Sequence, residues 1–222
     1  EELPIDQALA LSGKEGKILF VDCSTSWCIP CKQMEQNVLS LDSVARFFNS
    51  TFVNVRMDMD HPEGKKYAKL YQVESYPTYL LIDSHGNLLY KCVGGVSAQK
   101  FMARIRQGLD PKNRVAQYNK IYQSGKYTDD FIRKYIAFKF EINERTEGKK
   151  VAQEYFDRLT PSQRTLPENW FLFGETKFDK YISGVKSSNF DYLMQHWSDF
   201  VKTNGKQVVF SKISSTYLAI SE

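Results

Sequence analysis

Cys28 and Cys31 are the residues of this chain whose type and spacing could do chemistry. They stand in Trp27-Cys28-Ile29-Pro30-Cys31, between the apolar run Ile18 to Val21 and the segment Lys32 to Leu39, which has helical spacing. That order predicts a buried strand, a short loop and a helix with Cys28 at its N-terminal cap. A thiol there meets the positive end of the helix dipole, so its thiolate is favoured. Two cysteines on one first helical turn share a face and close a disulfide with little backbone movement. Disulfide exchange needs an exposed thiolate to attack and a nearby thiol to resolve the mixed disulfide. Cys28, at the tip, is expected to attack, and Cys31, deeper and more shielded, to resolve. Trp27 is expected to cover one side of the pair. Ile29-Pro30 offers the attacking thiolate no side-chain donor, which predicts a dithiol on the reducing side.

Other chemistries for a CxxC fare worse. A zinc site needs two further ligands, and Cys23, Cys92, His61, His85 and His196 show no second pair at finger spacing. Haem attachment requires a His after the second cysteine, and Lys32 occupies that place. No metal and no cofactor is assigned. Cys23 and Cys92 read as small buried hydrophobes.

The elements that must position the pair can be followed along the chain. Leu3 to Leu11 suits a short helix ended by Ser12-Gly13, leading into the first strand. After Leu39 a second helical piece is expected from Ser43 to Asn49, with Val44, Phe47 and Phe48 inward. Phe52 to Asp58 alternates as a strand does, Asp60 to Gly64 reads as a turn, and Lys65 to Tyr71 as a short helix. Thr78 to Ile82 and Leu88 to Val93 form a hairpin about Asp83 to Asn87, Gly94-Gly95 ends it, and Ser97 to Gln107 closes the unit as a helix. Strands alternating with helices imply a sheet with a parallel part, and the hairpin adds antiparallel strands.

At 222 residues, 42% hydrophobic and 25% charged, the chain has a soluble globular composition and room for two domains. The net charge of +4 sits in the second half, with 18 Lys and Arg against 14 Asp and Glu beyond residue 109 and 12 against 12 before it. Spread among acids along helices, this basicity reads as a solvated face and predicts no nucleic-acid partner. No stretch approaches the roughly 20 apolar residues of a membrane span.

The run ILFVDCSTSWCIPCKQME, the later FVNVRMDMD, the segment VESYPTYLLIDSHGNLLY and the closing Gly94-Gly95 together resemble the thioredoxin superfamily, in its branch of extracytoplasmic disulfide reductases and interchange proteins. The resemblance covers about residues 1 to 109. It implies a thioredoxin fold, an α/β unit with a mixed central sheet flanked by helices, and a thiol-disulfide oxidoreductase that reduces protein disulfides. It implies that Asp22, six residues before Cys28, is a buried acid assisting proton transfer at Cys31, since an unpaired buried carboxylate has a raised pKa. The residues alone better suit a strand-end Asp with a satisfied hydrogen bond. The resemblance implies a cis proline at Tyr76-Pro77 lying against the cysteines, with the Tyr76 backbone free to pair with an extended substrate. Substrate binding then falls to Trp27, Ile29, Pro30, Tyr76 and Pro77. Two residues depart from the pattern: Tyr76 is bulkier than usual, and Arg56 replaces a frequent Lys. An Arg56 that reached Asp22 would hold the acid ionised and blunt the proton shuttle.

From residue 110 helical stripes take over: Phe131, Tyr135, Phe138 and Ile142; Val151, Ala152, Tyr155, Phe156 and Leu159; and Phe190, Leu193, Met194, Trp197, Phe200 and Val201. Residues 110–222 are expected to form an all-α domain of about five or six helices, either a bundle or tetratricopeptide-like hairpins. Trp170, Phe171, Phe173 and Trp197 are expected in its core. The partners expected are protein thiols or disulfides and an upstream electron donor. A second reading makes the helical half a partner- or peptide-binding platform with little turnover at the cysteines. The opening Glu1-Glu2-Leu3-Pro4 fits removal of a signal peptide, or a trimmed boundary, and with the resemblance gives a periplasmic or otherwise extracytoplasmic, bacterial setting as the expectation.

Overall fold

The computed structural model describes residues 3–174 and 179–218. The chain divides into two compact units, residues 1–128 with 141–143, and residues 129–140 with 144–222.

The first unit opens with α1 (Ile5–Glu15), whose Ile5, Ala8 and Ser12 are buried. The helix runs through the expected stop at Ser12-Gly13 and ends at Gly16, which takes φ +64°. A positive φ is cheap only for glycine, so the terminator is the residue that can turn left-handed, while Ser12 donates its hydroxyl to the Lys17 carbonyl at 2.7 Å. Four strands follow: β1 (Ile18–Ser24), β2 (Phe52–Asp58), β3 (Thr78–Ile82) and β4 (Leu88–Val93), in the order β2-β1-β3-β4. β1 runs parallel to β2 and antiparallel to β3, and β3 antiparallel to β4. In this register Asp22 lies opposite Arg56 on one side and Tyr79 on the other.

Strand alternation sends residues to two cores. One face carries Leu19, Val21, Cys23, Val53, Val55, Leu80 and Ile82 in a cluster with Ile5 and Ala8 of α1 and Tyr67 of α4 (Pro62–Leu70). The other is aromatic: Phe20 stacks on Tyr79 and meets Phe48 edge-on, and Phe101 of α5 (Ala98–Leu109) meets Tyr79 at 4.8 Å between centroids. This face also holds Asp22, two residues along β1 from Phe20.

Between β1 and β2 lie α2 (Ile29–Met34), a π-helical turn at Glu35–Leu39, and α3 (Asp42–Thr51). The helix starts as expected with Cys28 at its cap, and its last turn is wider, with Ser40 N–H bonding the Glu35 carbonyl at 3.0 Å. Val44 and Phe48 are buried and Phe47 is half-buried beneath the Arg106 guanidinium. α4 also begins earlier than expected, since Pro62 suits a first helical position whose N–H would be unused. Gly64 is needed there, because a Cβ would lie 2.1 Å from the Asp58 carbonyl oxygen. The first unit reaches past residue 109, because α6 (Val115–Gln123) packs on β4.

In the second unit α7 (Asp129–Glu141), α8 (Arg145–Arg158), α11 (Ser188–Gln195), α12 (Trp197–Asn204) and α13 (Lys206–Leu218) are joined by the four-residue α9 (Pro161–Arg164) and α10 (Asp179–Ile182). With α6, the described residues beyond 110 thus hold more α-helices than expected, because two short ones fill turns. Its core is formed by Tyr155, Phe156, Trp170, Phe173, Phe190, Leu193 and Phe200. Trp197 leaves the expected stripe: the helix breaks at His196, the phase resets, and the indole is 45% exposed. Phe171 is half-buried. A buried Lys139 is neutralised by Glu144 at 2.6 Å.

Candidate functional site

β1 ends at Ser24, and Thr25, Ser26 and Trp27 carry the chain to α2. Cys28 caps that helix, its N–H bonded to the Thr25 carbonyl at 3.2 Å and its Sγ accepting the Cys31 N–H at 3.1 Å. The cap is the anion-binding end of a helix, so the same N–H that meets sulfur here favours a thiolate when the bond is open. Cys28 and Cys31 are joined as a disulfide, with Cα atoms 5.3 Å apart. The expected difference in exposure is absent in this oxidised form: Cys28 is 3% and Cys31 4% exposed, while the flanking Trp27 and Ile29 are 65% and 67% exposed. Bonding turns each sulfur toward the other, and the pair lies flush between two apolar side chains.

Trp27 is held on two sides. Its indole N–H donates to Asp60 Oδ2 at 2.8 Å, and its ring meets Tyr76 edge-on at 5.9 Å. Asp60 is itself fixed by its own N–H on Asp58 Oδ1 at 2.9 Å. Nothing in the sequence pointed to Asp60, since it reaches Trp27 across 33 residues from the loop after β2. The Tyr76-Pro77 peptide is cis, and its loop is tied down by Thr78 Oγ1 on the Ser75 carbonyl (2.7 Å) and by Gly94 N–H on the Pro77 carbonyl (2.9 Å). Gly95 lies against α2, where a Cβ would stand 3.6 Å from Met34 and 3.9 Å from Pro30. The structure thus brings Trp27 and Tyr76 together directly and seats Pro30 beside the glycine pair.

Asp22 is half-buried, and its Oδ1 is sealed from solvent with no hydrogen-bond partner. Burial raises its pKa from 3.8 to about 6; Arg56 pulls it down by less, and Glu35 pushes it up. Arg56 does not neutralise the acid in the way the sequence suggested it could. Its Nη1 is taken by Glu35 Oε1 at 2.7 Å and its Nε by Ser24 Oγ at 3.3 Å. Across the sheet Tyr79 has a buried hydroxyl without a partner and a pKa raised chiefly by burial. Cys23 and Cys92 are buried and take no part in a disulfide, and burial pushes the Cys23 thiol well above its usual range, which makes it inert. Among the described residues no group of three or more His, Cys, Asp or Glu could hold a metal ion, and no helix is long and apolar enough to cross a membrane.

Three comparisons bear on this arrangement. The model of the thioredoxin-like domain matches residues 5–109. Thioredoxin-1 of Drosophila melanogaster is 32% identical over 78 residues, which are 35% of this chain and 68% of that protein. The thiol:disulfide interchange protein DsbD of Yersinia pestis is 29% identical over 107 residues, or 47% of this chain but 18% of that protein, so the chain spans under a fifth of its length. A solved structure, a putative disulphide-isomerase from Bacteroides thetaiotaomicron, is 41% identical and covers 50% of this chain and 91% of its own, with a TM-score of 0.47. The chain's relatives are thiol:disulfide interchange proteins and thioredoxins, and through residues 5–109 this chain belongs to the thioredoxin-like family.

Proposed function

We propose that Cys28 and Cys31 are the redox centre of an enzyme that reduces protein disulfides. The observation that carries this reading is the Cys28 sulfur at the tip of α2, accepting the Cys31 N–H at 3.1 Å. In the reduced enzyme the Cys28 thiolate attacks one sulfur of a client disulfide. A Cys28–client bond forms, and the other client sulfur leaves as a thiolate and takes up a proton. Asp22 accepts the Cys31 proton, and the Cys31 thiolate attacks Cys28 Sγ, closing the Cys28–Cys31 bond and releasing the second client thiolate. Two electrons pass to the client, and a dithiol donor restores the enzyme.

Trp27, Ile29 and Pro30 form one wall for the client, and Tyr76 and Pro77 offer it an extended backbone edge. With no side-chain donor in Ile29-Pro30, the thiolate has only backbone stabilisation, which supports the reducing direction. The partners are client proteins with accessible disulfides and an upstream dithiol protein, and an extracytoplasmic setting suits them because disulfides persist in oxidising compartments. Residues 110–222, as a helical domain, would select the client. A second reading, a binding module with little turnover, draws on the exposed Trp197, Phe210, Tyr217 and Leu218 of that half.

Insulin reduction separates the two. The wild-type chain is expected to precipitate insulin B chain in the presence of dithiothreitol well above the reagent alone, and Cys28→Ser to fall to that background. Equal rates for both would overturn the enzymatic reading.

A further inference from the structure

Resting on the reading of Asp22 as the proton carrier, we infer that Glu35 and Arg56 are positioning residues of the redox reaction: their ion pair holds the guanidinium off Asp22, leaving that carboxyl able to bind and release a proton. Asp22 and Arg56 are register partners on neighbouring parallel strands, so the acid lies beside the base of the Arg56 side chain, and Arg56 lowers its proton affinity. The guanidinium is clamped from two directions, by Glu35 from the π-helical turn at 2.7 Å and by Ser24 Oγ, two residues along β1, at 3.3 Å. Asp22 Oδ1 is left without a partner.

Among the described residues, the charged groups that act on Asp22 are Arg56 and Glu35, and the adjacent Cys23 is a neutral buried thiol. Arg56 comes from β2 and Glu35 from the π-helical turn, and Tyr79 from β3 is a neutral phenol whose deprotonation burial opposes. Cys31 of α2 is the thiol with which the acid trades its proton in the proposed reaction. A cavity of about 220 Å³ is lined by Asp22, Asn54, Arg56, Phe20 and Val44. The Asn54 Oδ1 is also buried without a partner.

The pair contributes little to stability, since the Arg56 and Glu35 side chains are 45% and 50% exposed. Its consequence falls on proton affinity, and the two partners act with opposite sign. Arg56→Met removes an attraction and frees a repelling Glu35, so Asp22 binds its proton more tightly. Glu35→Gln removes a repulsion and frees Arg56, so Asp22 binds it less tightly.

The test is a carboxyl ¹³C NMR titration of Asp22 in the oxidised full chain. The midpoint is expected to rise in Arg56→Met and fall in Glu35→Gln, each by about one pH unit, a tenfold change in proton affinity. The double variant is expected between the two. The low-pH limb of insulin reduction should move with the midpoint in each variant. Should Arg56→Met fail to fold, Arg56→Gln carries the same expectation. Midpoints that move in one direction in both variants, or in neither, overturn the proposal. An Asp22→Asn chain with unchanged turnover would instead overturn the role of Asp22, whatever the titrations show.

Discussion

A Cys31→Ala chain, reduced and mixed with extracts containing disulfide-bonded proteins, is expected to hold its client as a covalent adduct and to stop after a single event per chain. The substitution leaves the attacking group intact. Cys28 still caps α2, and the donor to its sulfur is the backbone N–H of position 31, which Ala retains. Trp27 and Tyr76 still frame the site, because Asp60 and the ring contact hold them independently of the disulfide. What is lost is the thiol that breaks the mixed disulfide, so the intermediate accumulates. On non-reducing gels the adduct should appear as one or a few discrete bands that vanish with dithiothreitol. Adding Cys28→Ser should abolish them. Adducts of equal yield without Cys28 would assign the chemistry to another thiol, although the remaining two, Cys23 and Cys92, are buried.

Asp22→Asn is expected to make the protein more stable and less active at once. In the folded chain the carboxyl has a pKa of about 6 against 3.8 when unfolded, chiefly through burial. The folded state thus binds that proton more tightly. The stability it contributes is present in full below about pH 4 and is lost as the pH rises through about 6, where a charge must be kept in a poorly solvated place. Asparagine carries no such charge. At pH 8 the variant should gain about 2 kcal/mol in urea unfolding, taking a conservative share of what the shift implies, and at pH 4 the two chains should agree within error. Insulin reduction at pH 7 should fall about tenfold, because the resolving thiol has lost its base. A variant less stable at pH 8 would mean that Asp22 is a satisfied strand-end residue, the other reading its sequence allowed.

The site was legible in the sequence where it depends on neighbours along the chain. Cys28 as a helix cap, the strand before it and the helix after it follow from spacing, and the alternation of β2 and the β3–β4 hairpin follow from local pattern. The cis Tyr76-Pro77 bond needed the resemblance, since its conformation is set by what packs around it. Contacts between distant segments were hidden. Asp60 reaches Trp27 from a loop whose path depends on how α4 begins at Pro62. Glu35, at the start of the π-helical turn, meets Arg56 across 21 residues, and this engagement limits what Arg56 does to Asp22. The helical half shows the same limit: the stripes of α8 are buried as spaced, but the break at His196 places Trp197 outside, and a break depends on how separate helices pack.

The central claim is that the Cys28–Cys31 pair is a reducing dithiol, and equilibration of the full chain with glutathione tests it most directly, with Trp27 beside the disulfide as a fluorescent reporter. The expected result is a two-electron transition at a potential below about −220 mV, toward the −270 mV of thioredoxin. A transition near −180 to −120 mV, in the range of isomerases and oxidants, would contradict the reducing assignment, and the absence of any transition would contradict the redox role itself.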